Sequence, residues 1–597
     1  MINYICEFID SKGGKFVTTL EIKQLAEKYL NEDFSAVNIV EAEGVLAAFE
    51  NGVYTAGGKT VPQKLRALSL IAFHKNEACF HIEESPRFTH LGAMIDVSRA
   101  GVMRVEKVKE FIDRIALFGA NELMLYTEDI YQLEDYPHFG YLRGAYTDEE
   151  LREMDDYGYA LGVELVPCIQ TLGHFDQYLT WGAETADFRD TNSVLLCDCA
   201  ETDRFIEAEI KKMRSVFRSR RIHIGMDEAL DVGLGQYLRL NGFTDRFELL
   251  KRHLKKVCNL CEKYDFAPIM WSDMFFRTGS KTNDYYDLET QMPDNISQGI
   301  PDCEMAYWDY YHDDRATYRE MFRLHRNLKR PISFFGGLAT WYGFVPNYQW
   351  ADTMSAAGMK ACIEEGVQHV SATLWGDDGC ECDYFRSLCS FAYFSEACYH
   401  QGPDDRAHIE NFGRFMTGIT EQQIEAANLF HQFGHILGKR LIWADPFYKL
   451  LGYPLEEGNL PEQMMAAGNA LLQSDEYTAR LLRIAAMKGT LHLKMQNDYK
   501  NGKDLTVYRD ELLPNLMTEY KRLSELHIKN FLALNKPFGV EKIQIRYAGT
   551  LARLQYAIGV LDDYINGKTK TIEVMDYEPL DDEHRGPFYR RIATTML

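Results

Sequence analysis

No run of about 18 apolar residues occurs anywhere in this chain, and residues 1–10 show no basic stretch leading into a long apolar core. The expectation is therefore a protein with no signal peptide and no membrane span. Positive charge is also scarce: Asp and Glu outnumber Lys and Arg 89 to 65, a formal charge of −24. That balance argues against nucleic-acid backbones and anionic membranes as partners. Cysteine is modest in number and odd in count, at 13, and the residues are scattered. The short pairs Cys258-x-x-Cys261, Cys197-x-Cys199 and Cys380-x-Cys382 lack the remaining ligands of a zinc site. Without a secretion signal, reduced thiols in the cytoplasm are the simplest account. The chain has no internal repeat, no low-complexity segment and no Gly-rich phosphate loop, so nothing points to a nucleotide.

What is present is a change of rhythm along 597 residues, too many for a single core. Residues 1–87 read as a small α/β domain: a strand-like start at 4–9, a helical stretch at 20–30 and a strand near 78–82. From 88 to 400, short apolar segments alternate with helical ones. Strands are expected at 91–97, 122–126, 163–169, 221–226, 268–271, 304–308, 332–335 and 371–375. Between the first two, Val105, Val108, Phe111, Ile112, Ile115 and Phe118 recur at helical spacing. Before a helix at 151–161, Thr147 and Glu150 have the spacing of a capping box. Eight strands interleaved with helices over this length predict a (β/α)8 TIM barrel. Residues 401–597 lose the strand signal. They predict a mostly helical C-terminal domain, with helices at 421–437, 461–473 and 477–487 and a tail from 568. Helical domains of this kind often pack together, which leaves a homodimer open.

Barrel enzymes carry their chemistry at the C-terminal ends of the strands. Reading off those ends collects Asp96 and Arg99, Glu128 and Asp129, His174, Asp227 and Glu228, Trp271 and Asp273. The last three ends add Trp308, Asp309 and Tyr310, then Trp341 and Tyr342, then Trp375, Asp377 and Asp378. Four of the seven tryptophans fall here, most of them beside an acid. Indoles stack on the C–H faces of a sugar, and charged groups read its hydroxyls. An isolated Asp-Glu pair is ordinarily a solvated helix start. Here it ends a strand within a rim of aromatic and acidic residues. No metal ligand spacing accompanies it, so neither a metal nor an organic cofactor is expected.

The ordered set Gly92-Ala93-Met94-Ile95-Asp96-Val97-Ser98-Arg99, Gly173-His174, His223-Ile224-Gly225-Met226-Asp227-Glu228 and Leu374-Trp375-Gly376-Asp377 resembles glycoside hydrolase family 20, the β-N-acetylhexosaminidases. The resemblance covers about residues 88–385. It implies a retaining, exo-acting hydrolase of N-acetylhexosamine-terminated oligosaccharides in which the substrate's own acetamido oxygen is the nucleophile. Glu228 would be the general acid, with a raised pKa, and Asp227 an ionised group orienting the acetamide. Arg99, Trp375 and Asp377 would hold the sugar, with Asp377 standing where the family usually has a Glu. Trp271 and Trp308 would wall the acetamido pocket and His174 would line the site near the acid, while Trp341, from its strand end, is a further substrate-binding candidate. Tyr342, with Tyr310 as rival, would donate to the acetamido carbonyl. Gln170-Thr171-Leu172 replaces the acid that usually precedes the Gly-His pair, so the resemblance does not extend to a charge relay through His174. Two other readings stay open: a non-catalytic sugar-binding barrel, and a glycosidase using a protein carboxylate (Asp273, Asp309 or Asp378) as nucleophile.

Overall fold

A computed structural model describes residues 17–377, 379–432, 437–447 and 459–577. The strand expected at 4–9, Asp378 and the tail beyond 577 lie outside the described residues.

The N-terminal unit is a four-stranded sheet of β1 (Asn38–Val40), β2 (Val45–Glu50), β3 (Val53–Gly57) and β4 (Phe80–Glu84), in the order β1-β3-β2-β4. Two helices accompany it, Thr19–Leu30 and Val61–Phe73. Each begins with a capping box, from Thr18 with Glu21 and from Thr60 with Gln63, which satisfies the first orphan amides. The second helix carries Arg66, a fully buried guanidinium. Arg66 pairs with Glu84 at 2.6 Å inside its own unit and with Glu396 at 2.8 Å on the barrel's last helix. Two carboxylates around one buried cation tie the small unit to the barrel.

The barrel comprises β5 (His90–Asp96), β6 (Glu122–Tyr126), β7 (Glu164–Cys168), β8 (Arg221–His223), β9 (Ala267–Trp271), β10 (Glu304–Trp308), β11 (Ile332–Gly337) and β12 (His369–Leu374). All pairs are parallel, and β12 closes on β5. Each of the eight barrel strands read from the sequence is present, β8 in a shortened form. The strands are buried almost throughout, as Glu122-Leu123-Met124-Leu125-Tyr126 shows, because helices cover the outside and side chains fill the inside. The capping box at Thr147 and the apolar helix Val105–Leu117 match the sequence reading. At the N-terminal end of the barrel His369 bridges Glu122 (2.9 Å) and Glu304 (2.7 Å), and Arg221 pairs with Glu122 and Glu164. This buried charge cluster plugs the base and leaves chemistry to the opposite rim.

Strand β8 is shorter than its apolar run of 221–226. Gly225 and Met226 take positive φ values of 66° and 72°, so the chain leaves the sheet after His223. A side chain at 225 would meet Gln170 Oε1 at 2.0 Å, which explains the glycine.

The C-terminal region is helical among its described residues, with long elements at Glu476–Lys500, Leu513–Leu534 and Val540–Ile565. The first of these extends well past the expected 477–487. This region grips the loop after β12: buried Glu381 receives Lys439 (3.0 Å), Arg546 (2.8 Å) and the Trp443 indole N–H (2.9 Å). Lys439 also donates to the Asp377 carbonyl at 3.3 Å. The helical domain thereby fixes the loop that carries Trp375 and Asp377.

Candidate active site

The turn after β8 aims two neighbouring acids in different directions. Glu228 has a φ of 48°, a left-handed conformation that rotates its side chain away from that of Asp227. Its amide donates to Asp273 Oδ2 at 3.0 Å, which pins the turn to the end of β9. Gly173 permits the close approach of the loop after β7, since a Cβ there would meet the Asp227 carbonyl at 2.6 Å. That loop delivers two partners to Asp227: Gln170 donates to Oδ1 at 3.0 Å, and His174 Nε2 lies 3.0 Å from Oδ2. The same His174 nitrogen is 3.3 Å from Glu228 Oε2, while Nδ1 is 3.8 Å from Glu128. Asp227 is buried; Glu228 is half-buried, and its other oxygen accepts from the Tyr285 hydroxyl.

Burial opposes a charge on His174, but Asp227 and Glu228 outweigh it and raise its pKa well above the ordinary histidine value. Burial alone would raise Glu228. The His174 charge and hydrogen bonding, with the Tyr285 hydroxyl, instead hold its carboxyl down at about 2. This corrects the expectation of a raised pKa on Glu228: in the free site the proton resides on the histidine and not on the acid. Glu128 is pushed up to about 7, by burial against the pull of Arg99 and His174. Asp273 is pushed up to about 8, by burial first and then by the charge of Asp227.

Above these acids is a pocket whose volume, including its open mouth, is about 510 Å³, the size of a small-molecule site. Trp271, Trp308, Trp341 and Trp375 all line it, together with Tyr310 and Tyr311. Tyr310 stacks on Trp308 with centroids 5.1 Å apart and lies 5.0 Å from Trp341. The indole N–H groups of Trp271 and Trp375 and the Tyr310 hydroxyl are buried without a well-formed hydrogen bond. Such groups call for a polar ligand. Arg99 completes the lining beside Asp377. Its guanidinium is 3.0 Å from Asp96, and 3.6 Å from both Asp377 and Glu128. The salt bridge to Asp96 therefore positions Arg99 rather than removing it from the site.

Of the residues expected from sequence, Arg99, Asp227, Glu228, Trp271, Trp308, Tyr310, Trp341, Trp375 and Asp377 meet at this pocket, and His174 reaches it through the two acids. Tyr342 does not line it. The turn that sends Trp341 to the pocket sends Tyr342 toward the helical domain, where its ring lies 6.1 Å from that of His431. Its rival Tyr310 does line the pocket. Sequence reading missed Tyr285 and Tyr311, which come from loops without a motif. Asp273 and Asp309 do not line the pocket. The Asp309 carboxylate is occupied by Tyr307 (2.6 Å), the Tyr311 amide (3.0 Å) and His312 (2.8 Å). Among the described residues, His, Cys, Asp or Glu side chains approach metal-binding proximity at Glu396, His400 and His408, outside this pocket.

The short contact from Tyr285 to Glu228 has a measurable consequence. Tyr285→Phe removes a donor that stabilises the carboxylate, so the Glu228 pKa is expected to rise from its depressed value, with kcat falling about tenfold or less. A carboxyl titration, followed by NMR of labelled glutamate, that does not move would assign Tyr285 a packing role only.

Comparison with known proteins places this geometry in context. Residues 88–292 match the model for the glycosyl hydrolase family 20 catalytic domain, and residues 422–590 match that for the glycoside hydrolase 20C C-terminal domain. The human β-hexosaminidase subunit beta is 24% identical over 357 residues, covering 52% of this chain and 62% of that protein. The Porphyromonas gingivalis β-hexosaminidase is 26% identical over 235 residues, covering 32% of this chain and 29% of that protein. The chain spans about half the length of the curated relatives it matches. The X-ray structure of Flavobacterium johnsoniae chitobiase shares the fold, with a TM-score of 0.51 and 15% identity over 92% of this chain and 89% of that one.

Proposed function

We propose that this chain, which belongs to glycoside hydrolase family 20, is a retaining exo-β-N-acetylhexosaminidase that releases terminal β-linked N-acetylglucosamine or N-acetylgalactosamine. The observation that carries this reading is the Asp227–Glu228 pair set at a pocket walled by four tryptophans. The sugar ring lies against the indoles, with Arg99 and Asp377 reading its hydroxyls. Glu228 protonates the glycosidic oxygen and later takes a proton from water. The substrate's acetamido oxygen attacks the anomeric carbon, and the leaving group departs with the proton from Glu228. Asp227, held by Gln170 and His174, accepts from the acetamide N–H and balances the positive charge that develops there. The Tyr310 hydroxyl, buried among the indoles, donates to the acetamido carbonyl. The substrates of this reading are N-acetylhexosamine-terminated oligosaccharides. Its setting is the cytoplasm, which suits the twelve described cysteines, all free thiols.

The test is hydrolysis of two chromogenic β-glycosides, one of N-acetylglucosamine and one of glucose. The expected result is a kcat/KM for the first that exceeds the second by about 100-fold or more, because the glucoside lacks the nucleophile. Comparable cleavage of both would point to a protein carboxylate. Binding of the amino sugar without cleavage of either would point to a sugar-binding protein.

A further inference from the structure

Two arginines near the turn that carries Glu228, outside the pocket lining itself, have no ion-pair partner among the described residues. Arg277, near the end of the helix Asp273–Gly279, lays its guanidinium 4.1 Å from the ring centre of Tyr285. That tyrosine donates to Glu228. The other polar contact of Arg277 is a long one, 3.4 Å to Asn283 Oδ1. Arg246, at the start of the helix Arg246–Lys263, donates to the Leu230 carbonyl at 2.7 Å, and the Leu230 amide donates to the Glu228 carbonyl at 2.7 Å. Arg277 is thus one residue removed from the Glu228 carboxylate, whereas Arg246 reaches only the backbone carbonyl of that residue, through Leu230. Both carry a buried N–H with no acceptor, Nη1 of Arg277 and Nε of Arg246. Burial first, and then the nearby Arg277 charge, hold the Arg246 pKa below its ordinary value; Asp231 offsets this only in part.

The direction of this pair matters. Trp271 and Trp375 at the pocket floor are buried, whereas Glu228, Tyr285 and Arg277 are half-buried and Tyr311 is 54% exposed. The contacts Glu228–Tyr285–Arg277 therefore lead away from the buried pocket floor, and on the hydrolase reading, in which the acid faces the leaving group, they lie on the leaving-group side. Each of these arginines keeps one buried N–H without an acceptor, which is costly in a free protein, and an oxyanion would satisfy both. The planar fork of arginine matches carboxylate, sulfate and phosphate oxygens.

We propose that Arg277 and Arg246 form a receptor for an anionic group on the leaving half of the substrate, so that the protein prefers N-acetylhexosaminides whose aglycone carries a carboxylate, sulfate or phosphate. This rests on the hydrolase reading and deepens it. An anion there would be repelled by an ionised Glu228, so it also favours the protonated form that donates to the leaving group.

The test compares kcat/KM for β-N-acetylglucosaminides of glucose, glucuronate, a sulfated glucose and a phosphorylated glucose. The proteins are wild type, Arg277→Gln, Arg277→Lys and Arg246→Gln. The readout is the ratio of each anionic substrate to the glucose compound, which cancels general damage to the site. In wild type at least one anionic substrate is expected to be favoured by about tenfold or more, mainly through KM, and the identity of the favoured substrate names the anion. Arg277→Gln removes the preference, Arg246→Gln reduces it, and Arg277→Lys retains part of it. Added salt weakens it in wild type. Cleavage of the glucose compound with no anionic preference, or a preference that survives both Gln substitutions, overturns the receptor and leaves the hydrolase reading standing. Cleavage of none of the four overturns both.

Discussion

Glu228→Gln is expected to lower kcat/KM toward a β-N-acetylglucosaminide with a sugar or alkyl leaving group by about 10²–10⁴-fold. Glutamine preserves the volume and can still receive the Tyr285 hydroxyl, but it cannot give up a proton to the glycosidic oxygen. A nitrophenyl leaving group needs less protonation, so the loss on that substrate is expected to be smaller. Equal losses on both would mean that Glu228 does not act as the acid. The pH profile adds a second check. His174 and Glu228 share one proton across 3.3 Å, and in the free site His174 holds it because its pKa is raised while that of Glu228 is lowered to about 2. The pair titrates as a unit. Activity is therefore present while that proton is bound and is lost as pH rises through the raised value of the histidine, above its ordinary range near 6.5. His174→Asn removes the proton's holding site, and the alkaline limb moves to lower pH. A limb that stays in place would separate His174 from proton delivery.

Asp227→Asn is expected to cost about 10² or more in kcat on an N-acetylated substrate, with a smaller change in KM. The carboxylate is buried and fixed by Gln170 at 3.0 Å and His174 at 3.0 Å, so its charge is already oriented before substrate arrives. Asparagine keeps the shape and one acceptor but loses the charge that meets the developing cation on the acetamide. The substitution also withdraws one of the two anions that keep His174 protonated, so the alkaline limb is expected to fall with it. A loss of only a few fold would remove the acetamide from the mechanism.

The sequence alone determined the barrel and most of its rim. The strands are short apolar runs separated by helical spacing, and burial on both faces leaves that pattern visible residue by residue. Strand ends in a parallel barrel must point the same way, so residue order alone groups Arg99, Asp227, Trp271, Trp308, Trp341, Trp375 and Asp377 at one rim, where they share one pocket. Adjacent positions in turns were a different matter. Tyr342 and Trp341 are neighbours in sequence, yet only one faces the pocket, because the direction of a turn residue depends on what the turn packs against. Tyr285 stands 57 residues beyond Glu228 in a loop with no periodicity, and only folding brings its hydroxyl to the acid. The early end of β8 follows from backbone signs at Gly225 and Met226, which an apolar run conceals.

The protonation states belong wholly to the tertiary structure. From residue types, an acid beside another acid in an apolar pocket should hold its proton. His174 arrives from the preceding strand end, touches both carboxylates and reverses that order for Glu228. Charge interactions depend on separations of a few ångströms and on how much water remains, and neither is a property of residue order. Strand periodicity is local and can be read along the chain. The pKa of Glu228 and the orphaned donors of Arg277 and Arg246 arise from segments that meet only when the barrel closes.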